Sequence, residues 1–106
     1  MAEQPDQTPV LDLLAEMTAA SLATSTLDPE TLMLVRIAAL VAVDAPPASY
    51  LLNLGVAGDA GADVEEIRGV LAAVAPIVGT ARVVSATGNI VAALGVALDE
   101  AGAEAG

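Results

Sequence analysis

Apolar residues recur along the chain at helical rather than strand spacing. In residues 9–23, six large apolar side chains fall broadly on one side of a helix, with Asp12 and Glu16 elsewhere. These six are Val10, Leu11, Leu13, Leu14, Met17 and Leu22. No stretch shows the alternation of a half-buried strand, so the pattern predicts an all-α domain of about five helices without internal repeats.

The second predicted helix has a strong start signal. Asp28 suits the N-cap, Pro29 suits the first helical position, and Glu30 is favoured by the helix dipole. The helix is predicted to run through Val43 and is apolar almost all round. That pattern is typical of a central, buried helix.

Three further helices are predicted between breaks rich in proline and glycine. Pro46 and Pro47 end the second helix and begin the third. Residues 63–66 form a capping-box variant that opens the fourth helix. Gly88 and Gly95 either weaken the fifth helix or let another backbone pack closely against it. The predicted ranges are 47–56, 63–78 and 80–100, within a single domain at 9–100 between a disordered lead at 1–8 and a tail at 101–106.

The composition points to association between copies of the chain. Of 106 residues, 56% are apolar, yet Tyr50 is the single aromatic residue. The core is therefore built from Ala, Val, Leu and Ile, through many small contacts. High hydrophobicity in a short chain predicts that other subunits cover part of the apolar surface. We expect a homo-oligomer.

The charge balance excludes several partners. Three arginines, no lysine and 14 acidic residues give a net charge of −11. Nucleic-acid binding needs a basic footprint, and an anionic membrane surface is disfavoured for the same reason. The most apolar run, residues 32–43, is shorter than the roughly 20 residues of a membrane span. The N-terminus shows no secretory signal, so we expect a cytoplasmic protein.

The chain contains no cysteine and no histidine. It therefore cannot carry out thiol–disulfide chemistry, build a Cys/His metal site or form a Ser-His-Asp triad. Asp59, Asp63, Glu65 and Glu66 lie beside glycines, but their spacing does not fit a calcium loop, and a helix start favours acidic residues in any case. We expect no metal and no cofactor.

Residues 27–94 resemble the carboxymuconolactone decarboxylase family, whose members have the AhpD-like fold. The similarity lies in the segments 27–38, 61–67 and 74–79. It implies assembly into a trimer or a hexamer. In redox-active members a Cys-x-x-Cys-x-x-x-His motif would fall on Pro46, Ser49 and Asn53, and a proton-relay glutamate would fall near Met33. This chain keeps the spacing of these three positions, but none of them is a cysteine or a histidine. Peroxidase and disulfide reductase activities are therefore not expected.

The same resemblance implies a pocket lined by Met33, Ser49, Tyr50, Asn53 and Arg36. Ser49 and Asn53 are four residues apart and share a helix face. Three roles are open for Ser49, Tyr50 and Asn53. They contact a ligand, or Ser49 or Tyr50 acts in catalysis, or the side chains form hydrogen bonds with the local backbone or at a subunit interface. Arg36 either pairs with a carboxylate, from Glu30, Asp44 or a neighbouring subunit, or binds an anion in the pocket.

Three functions remain open. The first is a catalytically degenerate family member that binds a small apolar or anionic molecule, or serves as a structural oligomer. The second is a cofactor-free enzyme with decarboxylase or lactone/keto-acid chemistry, in which Arg36 holds a carboxylate and Tyr50 or Ser49 assists proton movement. In the third, assembly itself is the function.

Overall fold

Five α-helices make up the described part of the chain, which contains no strand. The computed structural model describes the backbone of residues 7–105 and the side-chain surroundings of residues 8–95. The helices are α1 (Gln7–Thr24), α2 (Pro29–Ala42), α3 (Pro47–Asp59), α4 (Val64–Val78) and α5 (Thr80–Ala105). The prediction of an all-α domain is confirmed.

Helix ends differ from the sequence prediction more than helix starts do. α1 begins at Gln7, inside the segment predicted to be disordered, and residues 1–6 lie outside the described residues. α3 continues through Gly58 to Asp59, and α5 continues past Glu100 to Ala105. Glycine in a helix interior costs only about 1 kcal/mol relative to alanine, so neighbouring turns can carry a helix through it.

Two acidic side chains begin helices as predicted. Asp28 is the N-cap of α2, and its Oδ1 accepts a hydrogen bond from the amide of Thr31 at 2.9 Å. At α4, Asp63 Oδ1 accepts from the amide of Glu66 at 2.8 Å, while Glu66 Oε1 accepts from the amide of Asp63 at 3.1 Å. This reciprocal pair completes a capping box, so both predicted starts are confirmed.

Side chains of α5 hold the turn between α2 and α3. Asp44 has a left-handed backbone conformation with φ 57°, and its Oδ1 accepts a hydrogen bond from Ser85 Oγ at 2.6 Å. The side-chain amide of Asn89 donates to the carbonyl of Ala45 at 3.0 Å. These two bonds tie the turn to α5 and stabilise the left-handed conformation of Asp44.

The core forms around α2, which packs against α3, α4 and α5. The central position predicted for this helix is confirmed. Its burial is not complete, however, because Val35 is 53% exposed. The fully or nearly fully buried side chains are Leu32, Met33, Ile37, Val41, Ala45, Tyr50, Ala57, Ala86, Ile90 and Ala93.

In contrast, α1 lies away from this core. No Cα atom of α1 approaches within 8 Å of a Cα atom in another helix of the described chain. Its large apolar side chains, from Val10 to Leu22, are 50–62% exposed. No helix in the described part of the chain combines the length and apolar character that a membrane span requires.

Candidate functional site

Three of the five predicted site residues line one cavity. Met33 and Arg36 extend from α2, and Asn53 extends from α3. The cavity has a volume of about 280 Å³. Its remaining wall comes from α1 and from the outer face of α3, through Thr18, Leu22, Leu52 and Val56. The site therefore lies where α1, α2 and α3 meet.

Arg36 supplies the positive charge of this cavity. One of its terminal nitrogens donates a hydrogen bond to Ser21 Oγ on α1 at 2.9 Å. Among the described side chains, no carboxylate pairs with Arg36, whereas Arg68 forms an ion pair with Glu65. A guanidinium carries five N–H donors, so the hydroxyl of Ser21 satisfies a small part of its capacity.

The predicted pairing of Arg36 with Glu30 or Asp44 is therefore wrong within this chain. Asp44 is turned toward α5, where it accepts from Ser85. Glu30 instead meets Glu66 of α4, and their shared hydrogen bond, together with the charge of Glu66, raises the pKa of Glu30. Both carboxylates are engaged by other helices, which leaves Arg36 facing the cavity. Pairing with a neighbouring subunit stays a prediction.

Asn53 and Ser49 lie on one face of α3, as their spacing predicts. The side-chain amide of Asn53 donates to the backbone carbonyl of Ser49 at 2.8 Å. This bond orients the side-chain amide of Asn53, whose second N–H can donate and whose oxygen can accept. Ser49 is half-buried in the first turn of α3 and is not part of the cavity lining.

Tyr50 is separated from the cavity. Its side chain is completely buried in the core, and its hydroxyl has no hydrogen-bond partner among the described residues. Burial, and secondly the negative charge of Asp44, raise the pKa of the phenol above its ordinary value. The group is therefore a neutral phenol near pH 7, held away from the space where a ligand would lie.

Few polar groups reach the cavity. Its wall is mostly apolar, and its polar groups are a guanidinium, an amide and a hydroxyl. A mostly apolar pocket with a few convergent polar groups is the usual form of a small-molecule site. Since the chain has no cysteine or histidine, no nucleophile in the cavity has a neighbouring imidazole base.

The sequence analysis missed the contribution of α1 and of the outer face of α3. Val56 is three residues after Asn53 and four after Leu52, so it shares a helix face with each of them. Helical spacing could therefore have placed Leu52 and Val56 beside the predicted site residue Asn53. Thr18 and Leu22 had no such signal. Their distance from the cavity depends on the angle between α1 and α2, which the linker at residues 25–28 determines and which local sequence does not specify.

The position of the family motif can now be located in the fold. Pro46 is the N-cap of α3, and Ser49 and Asn53 follow in its first two turns. A family model described as "Carboxymuconolactone decarboxylase family" matches residues 8–99 of the chain. No curated protein and no solved structure matches the chain. The family match spans all five helices up to the last turns of α5.

Proposed function

Because the chain belongs to the carboxymuconolactone decarboxylase family but contains no cysteine, and hence no Cys-x-x-Cys motif, we propose that it is a catalytically degenerate member that binds a small organic anion. The ligand class is a carboxylate with a compact apolar body. It would occupy the cavity between α1, α2 and α3, with the protein acting as a homo-oligomer.

The observation that supports this proposal is the environment of Arg36. Arg36 is half-buried and has no carboxylate partner among the described side chains. This is unusual, because removing a charge from water is costly unless the charge is compensated. Ser21 offers a neutral oxygen at 2.9 Å. A bound carboxylate could accept two parallel hydrogen bonds from the guanidinium and neutralise it.

The remaining wall limits the body of the ligand. Leu22, Leu52, Val56 and Met33 provide apolar contacts. The side-chain amide of Asn53 uses one N–H for the carbonyl of Ser49, and its second N–H can donate to a carboxylate. A net charge of −11 repels anions at long range, although salt screens this repulsion beyond about 8–10 Å. Affinity must therefore come from contacts inside the cavity rather than from electrostatic steering.

Assembly into a trimer or a hexamer is the second part of the proposal. Its support is the exposure of α1 together with exposed side chains elsewhere, such as Leu52 at 74% and Ile77 at 86%. Contiguous apolar surface on a folded domain marks an interaction site. A monomer at micromolar concentration, measured by light scattering, would contradict this part.

The alternative of a cofactor-free enzyme has less support. It requires Tyr50 or Ser49 to move a proton beside a ligand held by Arg36. Neither side chain belongs to the cavity lining, and the phenol of Tyr50 is buried. Turnover of a lactone or keto acid that is lost in Tyr50→Phe would nevertheless favour the enzyme. Reduction of hydroperoxides above buffer would contradict catalytic degeneracy itself.

The experiment that tests binding uses the methionines as reporters. We would label their methyl groups and titrate the protein with hexanoate and benzoate, following the NMR spectrum. Met33 lines the cavity, whereas Met17 is exposed on α1 and serves as an internal control. We expect saturable shifts of the Met33 methyl and the Asn53 side-chain amide.

Native mass spectrometry of gently purified protein would reveal a retained ligand. The absence of both saturable shifts and a retained ligand mass would contradict the proposal.

A further inference from the structure

A second cavity, also of about 280 Å³, forms an open groove between α3, α4 and α5. Its walls are almost entirely apolar. They come from Leu54 on α3, Ile67 and Leu71 on α4, and Ile90 and Leu94 on α5. A groove of this kind is the surface on which an amphipathic helix docks in many complexes. Nothing in the described chain covers it.

The helix α1 carries an apolar stripe that no other described helix covers. Val10, Leu13, Leu14 and Met17 follow the i, i+3, i+4, i+7 spacing of one helix face. Each of these side chains is 51–57% exposed. α1 reaches its own chain through side chains near its C-terminal end, where Ser21 meets Arg36. Its N-terminal turns therefore present an apolar face to the outside.

The exposed area of the chain has the size of a missing interface. The molecule exposes 7040 Å², whereas a folded monomer of 10.4 kDa exposes about 5,400 Å². The excess, about 1,600 Å², is what one chain would bury in two standard interfaces, each of which covers about 800 Å² per partner. The radius of gyration, 15.3 Å, also exceeds the value of about 13 Å for a compact domain of this length.

We infer that α1 of one copy lies in the α3–α4–α5 groove of a second copy. The inference rests on the homo-oligomer proposed above and names the two surfaces that build it. Because the donor helix and the acceptor groove are different parts of one chain, each copy offers both. Such a head-to-tail contact closes into a ring when the rotation between copies permits.

The charges at the two surfaces are compatible with this contact. α1 carries Asp12 and Glu16, one turn apart, and no basic residue. Arg68 lies on the rim of the groove. Its present partner is Glu65, at 2.6 Å, but both side chains are at least 70% exposed. An exposed pair contributes little, so Arg68 can exchange Glu65 for an acidic residue of α1 at small cost.

The absence of native cysteine permits a direct test by disulfide cross-linking. We would co-express two differently tagged copies, one carrying Leu14→Cys on α1 and the other Val91→Cys in the groove. Both positions are more than half exposed, so the substitutions should not disturb the core. The matched control replaces Val91→Cys by Ile77→Cys, which is exposed on α4 outside the groove lining. Light scattering of the unmodified protein reports its assembly state independently.

We expect the Leu14/Val91 pair to form a covalent heterodimer on mild oxidation and the Leu14/Ile77 pair to form none. An oligomer that gives no Leu14–Val91 cross-link would overturn this inference while leaving the proposed oligomer intact. Cross-linking of Leu14→Cys with itself in place of Val91→Cys would show that α1 pairs with α1, which also overturns it. A monomer in light scattering would remove both the inference and the proposed assembly. Ligand binding at Arg36 is measured separately, by the titration with hexanoate and benzoate.

Discussion

The guanidinium of Arg36 donates a hydrogen bond to Ser21 Oγ at 2.9 Å, across 15 positions of sequence, and so connects α1 to the central helix α2. In the described part of the chain no Cα atom of α1 comes within 8 Å of a Cα atom in another helix, so this side-chain contact joins backbones that are far apart. The space left between them is the cavity that Asn53 and Met33 also line. The position of α1 and the formation of the site are thus parts of one arrangement.

Replacing Arg36 by leucine should abolish most of the carboxylate affinity. Hydrogen bonds to charged groups contribute about 1.5–3 kcal/mol. We therefore expect the dissociation constant for hexanoate or benzoate to rise about 10- to 100-fold, measured by calorimetry or NMR titration. Arg36→Lys should recover part of the affinity, since lysine keeps the charge but loses the planar fork.

Two controls separate this effect from general changes. Arg82→Leu removes the same charge from an exposed position on α5 that is not part of the cavity lining. Ser21→Ala removes the neutral partner and leaves the guanidinium in place. Both variants should bind within about 3-fold of the native protein, a difference below about 0.7 kcal/mol. An Arg36→Leu protein with native affinity would exclude the guanidinium as the anion site.

Tyr50→Phe should leave the protein as stable as before or make it more stable. The hydroxyl of Tyr50 is buried without a hydrogen-bond partner among the described residues, and an unsatisfied buried group costs about 1–3 kcal/mol. Chemical denaturation should show no loss and a gain of up to about 1 kcal/mol. Tyr50→Ala, which also removes the ring from the core, should cost about 3–5 kcal/mol. A loss of more than about 0.5 kcal/mol in Tyr50→Phe would indicate a hydrogen bond to this hydroxyl.

Asp63→Ala should destabilise the fold through the start of α4. Asp63 accepts from the amide of Glu66 at 2.8 Å, and loss of such an N-cap typically costs about 1 kcal/mol. Asp59→Ala is the matched control, because Asp59 is the last residue of α3 and has no capping role. It should change the free energy of unfolding by less than about 0.5 kcal/mol. Equal losses in the two variants would argue against capping as the cause of the loss in Asp63→Ala.

Glu30→Gln should raise stability at neutral pH. The hydrogen bond with Glu66, and then the charge of Glu66, raise the pKa of Glu30 above its ordinary value of 4.5. The folded chain therefore holds this proton more tightly than the unfolded chain does. The stabilisation from this group is complete below pH 4.5 and is lost as the pH rises through the raised pKa. Ionised Glu30 is thus disfavoured at pH 7, even though it lies in the first turn of α2.

The measurement is the melting temperature of Glu30→Gln and of the native protein between pH 3.5 and 8. The advantage of the variant should be greatest at neutral pH and should disappear toward pH 4. Glu65→Gln is the control, since Glu65 lies in the first turn of α4 but pairs with Arg68. Its difference from the native protein should not grow in the same way. A Glu30→Gln advantage that is independent of pH would rule out the carboxyl–carboxyl contact as its cause.

Helix starts were predictable because their signals are local. Asp28 and Asp63 each satisfy an amide three residues away, so the interaction is contained in a few residues of sequence. Helix ends were less predictable. α3 runs through Gly58, and α5 runs past Glu100 through Gly102; intrinsic propensity favours a break at each glycine, and the stability of neighbouring turns offsets the cost.

The candidate site was predictable in part for the same reason. Asn53 and Ser49 were placed on one face of α3 by their spacing, and their contact follows from it. The partner of Arg36 was not predictable, because two carboxylates nearer in sequence, Glu30 and Asp44, are drawn to α4 and α5. The pairing of acidic and basic side chains depends on the angles between helices, and tertiary packing determines these angles.

The sequence by itself determined the all-α class, the starts of α2 and α4, the central place of α2 and the absence of thiol and imidazole chemistry. Each of these depends on residue type or on contacts within one helical turn. Tertiary structure alone decided that Tyr50 is buried while Arg36 faces a cavity, that Glu30 meets Glu66, and that α1 leaves its apolar stripe exposed. These outcomes depend on the angles between helices, which are set by contacts between residues far apart in sequence.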